Sequence, residues 1–274
     1  MWSKLGIRVL SGVIGAALVL AIILFASPML FNLVVSAACV ISLYELCKTF
    51  KLLEKKPVAV LVFVFALLLL CAVFMGYSRD FLTLILVGYL MLLLICAVFL
   101  NGKIKFSDVC TAFFSLIYAV LLLYHIGFIR SMQNGVVLLF IPFLGAWMPD
   151  TFAYFSGTLF GKHKLIPSVS PKKTVEGAIG AVIGCIISFV VYGLIVDCAV
   201  GLSVNYLTLI ILAVLCGIVA QLGDLSASVI KREFGVKDFG NLIPGHGGII
   251  DRIDSLIFVA PLVYYFLLYI PVIS

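Results

Sequence analysis

An all-α, polytopic integral membrane protein with about nine transmembrane helices is the fold class this sequence predicts, and three observations predict it. The 274-residue chain is 65% hydrophobic and only 11% charged, with 22 Phe, which is not a soluble composition. Its apolar residues come in long runs, and roughly 20 such residues at a rise of about 1.5 Å each cross the hydrocarbon core. The runs show no period-two alternation, which argues against a membrane barrel. Helices, by contrast, satisfy their own backbone where there is no water.

Nine apolar spans follow one another at 7–25, 28–46, 57–76, 81–100, 107–129, 135–158, 175–196, 204–223 and 253–272. The first begins with Lys4 and Arg8 like a signal peptide. It is long for a signal core, and more spans follow, so it reads as a retained helix. Pro28 after Ser27 suits the short break before the second. The first five spans hold few ionisable groups apart from Glu45 and His125, and His125 reads as a packing or interfacial residue. Gly177, Gly180 and Gly184 in the seventh span read as a close helix contact, not a phosphate loop. The eight cysteines lie mostly inside apolar runs without C-x-x-C pairs, so they read as small buried hydrophobes. Residues 1–130 then form an N-terminal five-helix region. Residues 131–274 form a C-terminal catalytic region with polar loops 159–174 and 224–252.

Loop charge predicts the orientation. With the N-terminus in the cytoplasm, all Lys and Arg residues except Arg79 and Arg130 fall on the inner side, so the C-terminus lies outside. Both polar loops then face the cytoplasm. The net charge of +6 is mostly this topological bias and gives no argument for nucleic acid.

Residues 224–255 carry five of the twelve acids, four of the eighteen Lys and Arg residues and one of the three His. Such a cluster beside a bilayer marks a functional site. A helix continuing through Arg232 sets Asp224, Ser228 and Lys231 or Arg232 on one face, and Asp251 and Asp254 share another. The glycines between them let the chain fold back and set Asp224 opposite Asp251. Hard carboxylates without a Cys/His cluster suit Mg²⁺ on phosphate oxygens rather than Zn²⁺. Lys231, Arg232, Lys237 and Arg252 add the cations of a metal–polyphosphate site. Taken singly, Asp251 or Asp254 is better read as a first-turn helix acid that favours the dipole, but the density of the cluster at the mouth of two apolar helices argues against that for the whole. His246 is open between base, phosphate donor and turn-fixing residue.

A second segment runs from Asp150 to Gly177. Asp150 sits inside the sixth span and needs a partner. The Gly157-x-x-x-Gly161-Lys162 stretch lacks the P-loop spacing, and His163 stands where Ser or Thr is needed. Ser170-Pro171-Lys172-Lys173-Thr174 sets two lysines beside hydroxyls before a helix start, a place for anionic oxygens. The lysines alone are equally explained as stop-transfer charge, with Thr174 as an N-cap.

These segments resemble the phosphatidate cytidylyltransferases (CDP-diacylglycerol synthases). The resemblance rests on Ser228-x-x-Lys231-Arg232, Lys237-Asp238-x-Gly240, Pro244-Gly245-His246-Gly247-Gly248 and Asp251-Arg252-x-Asp254. It is joined by Gly223-Asp224-Leu225, Ser170-Pro171-Lys172-Lys173-Thr174-x-Glu176-Gly177 and Asp150-x-x-Ala153-Tyr154-x-x-Gly157. It covers the C-terminal half; the N-terminal half agrees only in hydropathy. It implies a multi-pass enzyme of the cell membrane, with its site on the cytoplasmic side, that makes CDP-diacylglycerol and pyrophosphate from CTP and phosphatidate. It also implies Mg²⁺ held by Asp224 and Asp251, compatibility with a second cation such as K⁺, and a homodimer.

On that footing Asp254 and Asp238 are further metal candidates, and Lys172, Lys173, Lys231, Arg232, Lys237 and Arg252 handle phosphates. Ser228 and His246 orient substrate, and Ser170, Thr174, Asp150 and Tyr154 complete the substrate site. The nearest rival is a CTP-dependent polyprenol or phytol kinase, which would transfer the γ-phosphoryl group. A transporter would carry paired repeats with broken helices in both halves, whereas the polar features here crowd into one.

Overall fold

Pro28 opens a helix, with the Ser27 hydroxyl accepting the Leu30 N–H at 3.2 Å as its N-cap. The computed structural model describes residues 4–243 and 247–273, without the side chains of residues 4–11 and 79. Its helices are α1 (Lys4–Phe25), α2 (Pro28–Thr49), α3 (Lys56–Phe74), α4 (Arg79–Phe99), α5 (Phe106–Leu116), α6 (Leu123–Arg130), α7 (Gly135–Leu138), α8 (Phe140–Phe160), α9 (Val175–Ile195), α10 (Tyr206–Glu233) and α11 (Ile250–Tyr269). A π-helical segment, Ile117–Leu122, joins α5 and α6 into one rod.

Eight rods among the described residues are long and apolar enough to cross a membrane. The described side chains of α1, Gly12–Phe25, form a shorter apolar helix at the position of the first expected span. Large apolar side chains such as Phe25 and Phe99 are more than four-fifths exposed, as expected of rods that face lipid. The chain is thus an all-α polytopic membrane protein. One addition interrupts the helices. The expected polar loop 159–174 contains a small antiparallel hairpin, β1 (Lys164–Ile166) and β2 (Ser170–Thr174), with Lys164 opposite Thr174.

Helices α8, α9, α10 and α11 pack on one another, and α6 and the π-helical segment bring the N-terminal rods against α11. The α8–α9 contact is made by the glycines read as a packing stripe. A Cβ on Gly180 would collide with the Ser156 side chain, and one on Gly184 with Phe152. His125 is a packing residue: it is buried, with Nδ1 2.9 Å from the Leu121 carbonyl and its ring against Phe128, Tyr264 and Tyr265. All eight cysteines are free.

Gly184→Val should force α8 and α9 apart at a cost of about 1–3 kcal/mol, the usual size of an overpacking penalty. Thermal unfolding of the detergent-solubilised protein checks this. The same change at the open position Gly88 should leave the transition unmoved.

Candidate active site

Two buried carboxylates organise the start of α11. Asp251, in its first turn, accepts the N–H groups of Phe239 at 2.8 Å and Gly248 at 3.0 Å on Oδ2. Its Oδ1 accepts Lys231 Nζ at 2.8 Å. The 238–248 loop is therefore tied at both ends to one carboxylate, and α10 is tied to α11 through Lys231. That ammonium also lies 5.4 Å from the centre of the Phe239 ring.

The second carboxylate comes from α2. Glu45 Oε1 and Oε2 accept the N–H groups of Ile249 and Ile250, each at 3.0 Å. These are donors that the start of a helix leaves unpaired, and the helix dipole there favours negative charge. A Cβ on Gly240 or Gly248 would overlap the Glu45 carboxylate, so the glycines form the cradle that admits it.

Beside this hub lies a cavity of about 320 Å³ whose walls include Asp150, Tyr154, Thr158, Lys172, Lys173 and Gln221. The hairpin brings its lysines there. His163 donates its backbone N–H to Glu176, its Nδ1 lies 2.7 Å from Glu176 Oε1, and Val175 N–H closes onto the His163 carbonyl at 2.9 Å. Thr174 caps α9 by accepting Gly177 N–H at 3.1 Å. Lys173 forms an ion pair with Asp224 of α10. Gly223 lies against the backbone of Asp254 and Ser255, which sets Asp224 beside the first turns of α11. Asp150, Asp224 and Asp254 lie within electrostatic reach of one another, with Lys173, Lys231 and Arg252 among them.

The fold-back expected from the glycines is present, and α10 does run through Arg232. Within it, Asp254 interacts with Asp224, while Asp251 is paired with Lys231. Ser228 lies one turn from both Asp224 and Lys231 on α10. Ser170 begins β2, opposite Ile166. Asp238 packs at Gly247, close to Asp251. Arg232, Lys237 and Arg252 are exposed around the rim. His246, with Pro244 and Gly245, lies outside the described residues.

Three residues escaped the sequence reading as site components. Glu45 was visible only as an odd charge in an apolar span. Gln221 lines the cavity one turn before Asp224 on α10. Tyr118, in the π-helical segment, is 2% exposed and within electrostatic reach of Asp224, Asp251 and Asp254. Its hydroxyl is buried without a hydrogen-bond partner among the described residues.

No three His, Cys, Asp or Glu side chains among the described residues form a ready-made metal cage. The donors at hand are carboxylate oxygens, with ammonium groups seated on Asp224 and Asp251. That set fits Mg²⁺, a hard cation usually held by one or two carboxylates together with waters and substrate phosphates.

An all-helical membrane protein with carboxylates and lysines meeting in a cavity at the ends of its helices is built to handle a phosphorylated substrate at the lipid boundary. The chain belongs to the cytidylyltransferase family, whose sequence model matches residues 6–270, and it is therefore a nucleotidyltransferase. It is 31% identical over 271 residues to the phosphatidate cytidylyltransferase of Bacillus subtilis (strain 168), covering 95% of this chain and 96% of that one. The phosphatidate cytidylyltransferase of Staphylococcus haemolyticus (strain JCSC1435) is 42% identical over 160 residues, 58% of this chain and 60% of that protein. That of Staphylococcus saprophyticus is 40% identical over 173 residues, 62% and 63% of the respective chains.

Glu45→Ala should leave the Ile249 and Ile250 amides buried and unpaired, at a cost of about 1–3 kcal/mol. Hydrogen exchange read by mass spectrometry should show faster exchange across residues 239–252. Exchange in α3 and α4 should be unchanged.

Proposed function

We propose that the protein is a phosphatidate cytidylyltransferase, which transfers the cytidylyl group of CTP to phosphatidate and releases pyrophosphate. The observation that carries this reading is the cavity in which Lys172, Lys173 and Asp150 meet, with Lys173 bridging to Asp224. A phosphate monoester with a second pKa near ~6 is largely dianionic at neutral pH and needs no protein base to become a nucleophile. One of its oxygens forms a new bond to the α-phosphorus of CTP. The bond from that phosphorus to the oxygen bridging to the β-phosphate breaks, and pyrophosphate leaves with the electron pair. The protein's part is to position the two anions and offset their charge.

In this reading Lys172 and Lys173 hold phosphate oxygens of the lipid substrate, and Lys173 exchanges Asp224 for them when that substrate arrives. Arg232, Lys237 and Arg252 line the path of the pyrophosphate from the rim. Asp224 would hold Mg²⁺, with Asp254 and Asp238 as further oxygen donors. Asp251, whose oxygens already serve Lys231 and two amides, contributes to the metal from a fixed position. When bound, Mg²⁺ offsets charge on the phosphate oxygens. Ser228 and His246 orient substrate.

In this reading the membrane is the plasma membrane and the site faces the cytoplasm, where soluble CTP meets inner-leaflet lipid; the concentration of Lys and Arg in the inner loops supports that side. Residues 131–274 carry the site and the N-terminal rods support it through Glu45, in a homodimer as the family resemblance implies.

Purified protein with phosphatidate, Mg²⁺ and CTP labelled at the α-phosphate should move label into the lipid phase and release pyrophosphate. Chelation should stop the reaction and added Mg²⁺ restore it. Asp224→Asn should lower kcat by about 100-fold or more with the thermal transition kept, the size expected for losing a group that stabilises transition-state charge. Labelled lipid from γ-labelled but not α-labelled CTP would instead establish a kinase.

A further inference from the structure

The charged cavity opens onto an apolar valley. On α9, Ile179, Val182 and Ile183 form one stripe, and on α10, Ile218 and Leu222 form the facing stripe. Their spacings of three and four residues keep each stripe on a single helix face. The two helices meet closely at the valley floor, where a Cβ on Gly217 would stand 3.0 Å from the Val182 Cα. The opposite face of α9 carries the glycines packed on α8, so the isoleucines are left facing outward and are about half exposed. The open groove between them has a volume of about 520 Å³.

The valley and the charged cavity share three wall residues, Leu165, Ala178 and Gln221. Leu165 belongs to the hairpin that delivers the lysines. Gln221 straddles the junction, its Nε2 donating to the Gly217 carbonyl at 2.7 Å and reaching the Ala178 carbonyl at 3.3 Å. The valley therefore starts beside Lys173 and runs along α9 away from the hairpin. From Val175 to Ile183 it follows about 12 Å of helix at 1.5 Å per residue. An apolar valley of the same volume between α2 and α3, walled by residues such as Val40 and Leu67, shares no wall residue with the charged cavity. Continuity with the cation-lined cavity is what distinguishes the α9–α10 valley from ordinary lipid-facing surface.

We propose that the α9–α10 valley seats one acyl chain of the phospholipid substrate while Lys172 and Lys173 hold its phosphate monoester in the adjoining cavity. This rests on the cytidylyltransferase reading above and adds to it the place and direction of the lipid. The occupant follows from the chemistry of the two compartments: an anionic head group within reach of two lysines, joined directly to an unbranched apolar chain. Gln221 is then a positioning residue at the boundary, its side chain closing the polar cavity against the hydrocarbon.

Ile183→Trp and Ile218→Trp, both outward-facing and distant from the lysines, fill the valley without touching the cavity. Leu67→Trp fills the α2–α3 valley as the control. Turnover is measured in mixed micelles with dioleoyl and dihexanoyl phosphatidate. Each α9–α10 variant should raise KM for the dioleoyl lipid about tenfold, equivalent to ~1.4 kcal/mol. KM for CTP and for the dihexanoyl lipid should stay within about twofold, and Leu67→Trp should change nothing. Equal losses on both lipids, or no loss on either, would overturn the proposal.

A phosphatidate bearing a diazirine in mid-chain gives a readout independent of catalysis. Cross-links on α9 and α10 that disappear in Ile183→Trp support the seat, and cross-links on α2 and α3 or spread evenly over the bundle refute it. Wild-type protein that cross-links on α9 and α10 but transfers no cytidylyl group would refute the reaction and leave the lipid seat standing.

Discussion

Everything at the charged end of this molecule depends on burying two carboxylates at the start of α11. An isolated buried carboxylate is costly, and only hydrogen bonds and opposite charge offset that cost. Asp251 meets the requirement with two loop amides and Lys231, and Glu45 meets it with the first free amides of the helix. The two acids sit at the positive end of the helix dipole. Removing either partner of such an arrangement leaves a buried charge or buried donors unsatisfied, so the arrangement behaves as a unit.

This constraint sets the geometry of the rest. Phe239 and Gly248 bring the two ends of the loop together at Asp251, and Arg232, Lys237 and Arg252 are exposed. Glu45 locks the N-terminal rods to the C-terminal ones across 205 positions of sequence, so the half of the chain without a motif still positions the site. On the other side, Glu176 closes the hairpin and Lys173 bridges to Asp224. Lys173 thus rests on Asp224 and Lys231 on Asp251. Under the proposed function, binding a phosphorylated substrate at Lys173 is then an exchange of partners rather than the entry of bare charge into a low-dielectric cavity.

Much of this was legible in the sequence. Hydropathy runs give the rods because the bilayer permits little else. The acids and bases of 224–255 stand out because charge is rare in such a chain, and the glycines between them announce the fold-back. Three features were hidden for physical reasons. The partner of Glu45 is a pair of backbone amides, which carry no residue signature. The π-helical segment that brings Tyr118 to the acidic cluster follows from packing on α11, not from local propensity. The hairpin over 164–174 has strands of three and five residues, Lys-Leu-Ile and Ser-Pro-Lys-Lys-Thr, too short for an alternation to mark them. Asp251 stands out in the sequence as a metal candidate of the cluster, but its three donors, two of them backbone amides, are seen only in the structure.

The central claim is that Lys231, Asp251 and the loop they pin act as one unit in catalysis. A double-mutant cycle on kcat/KM with Lys231→Met and Asp251→Asn tests it most directly. The account predicts that the double variant loses about as much as the worse single one, a coupling in the range of ~0.5–3 kcal/mol expected for groups in direct contact. Losses that simply multiply, in variants shown to be folded, would contradict it.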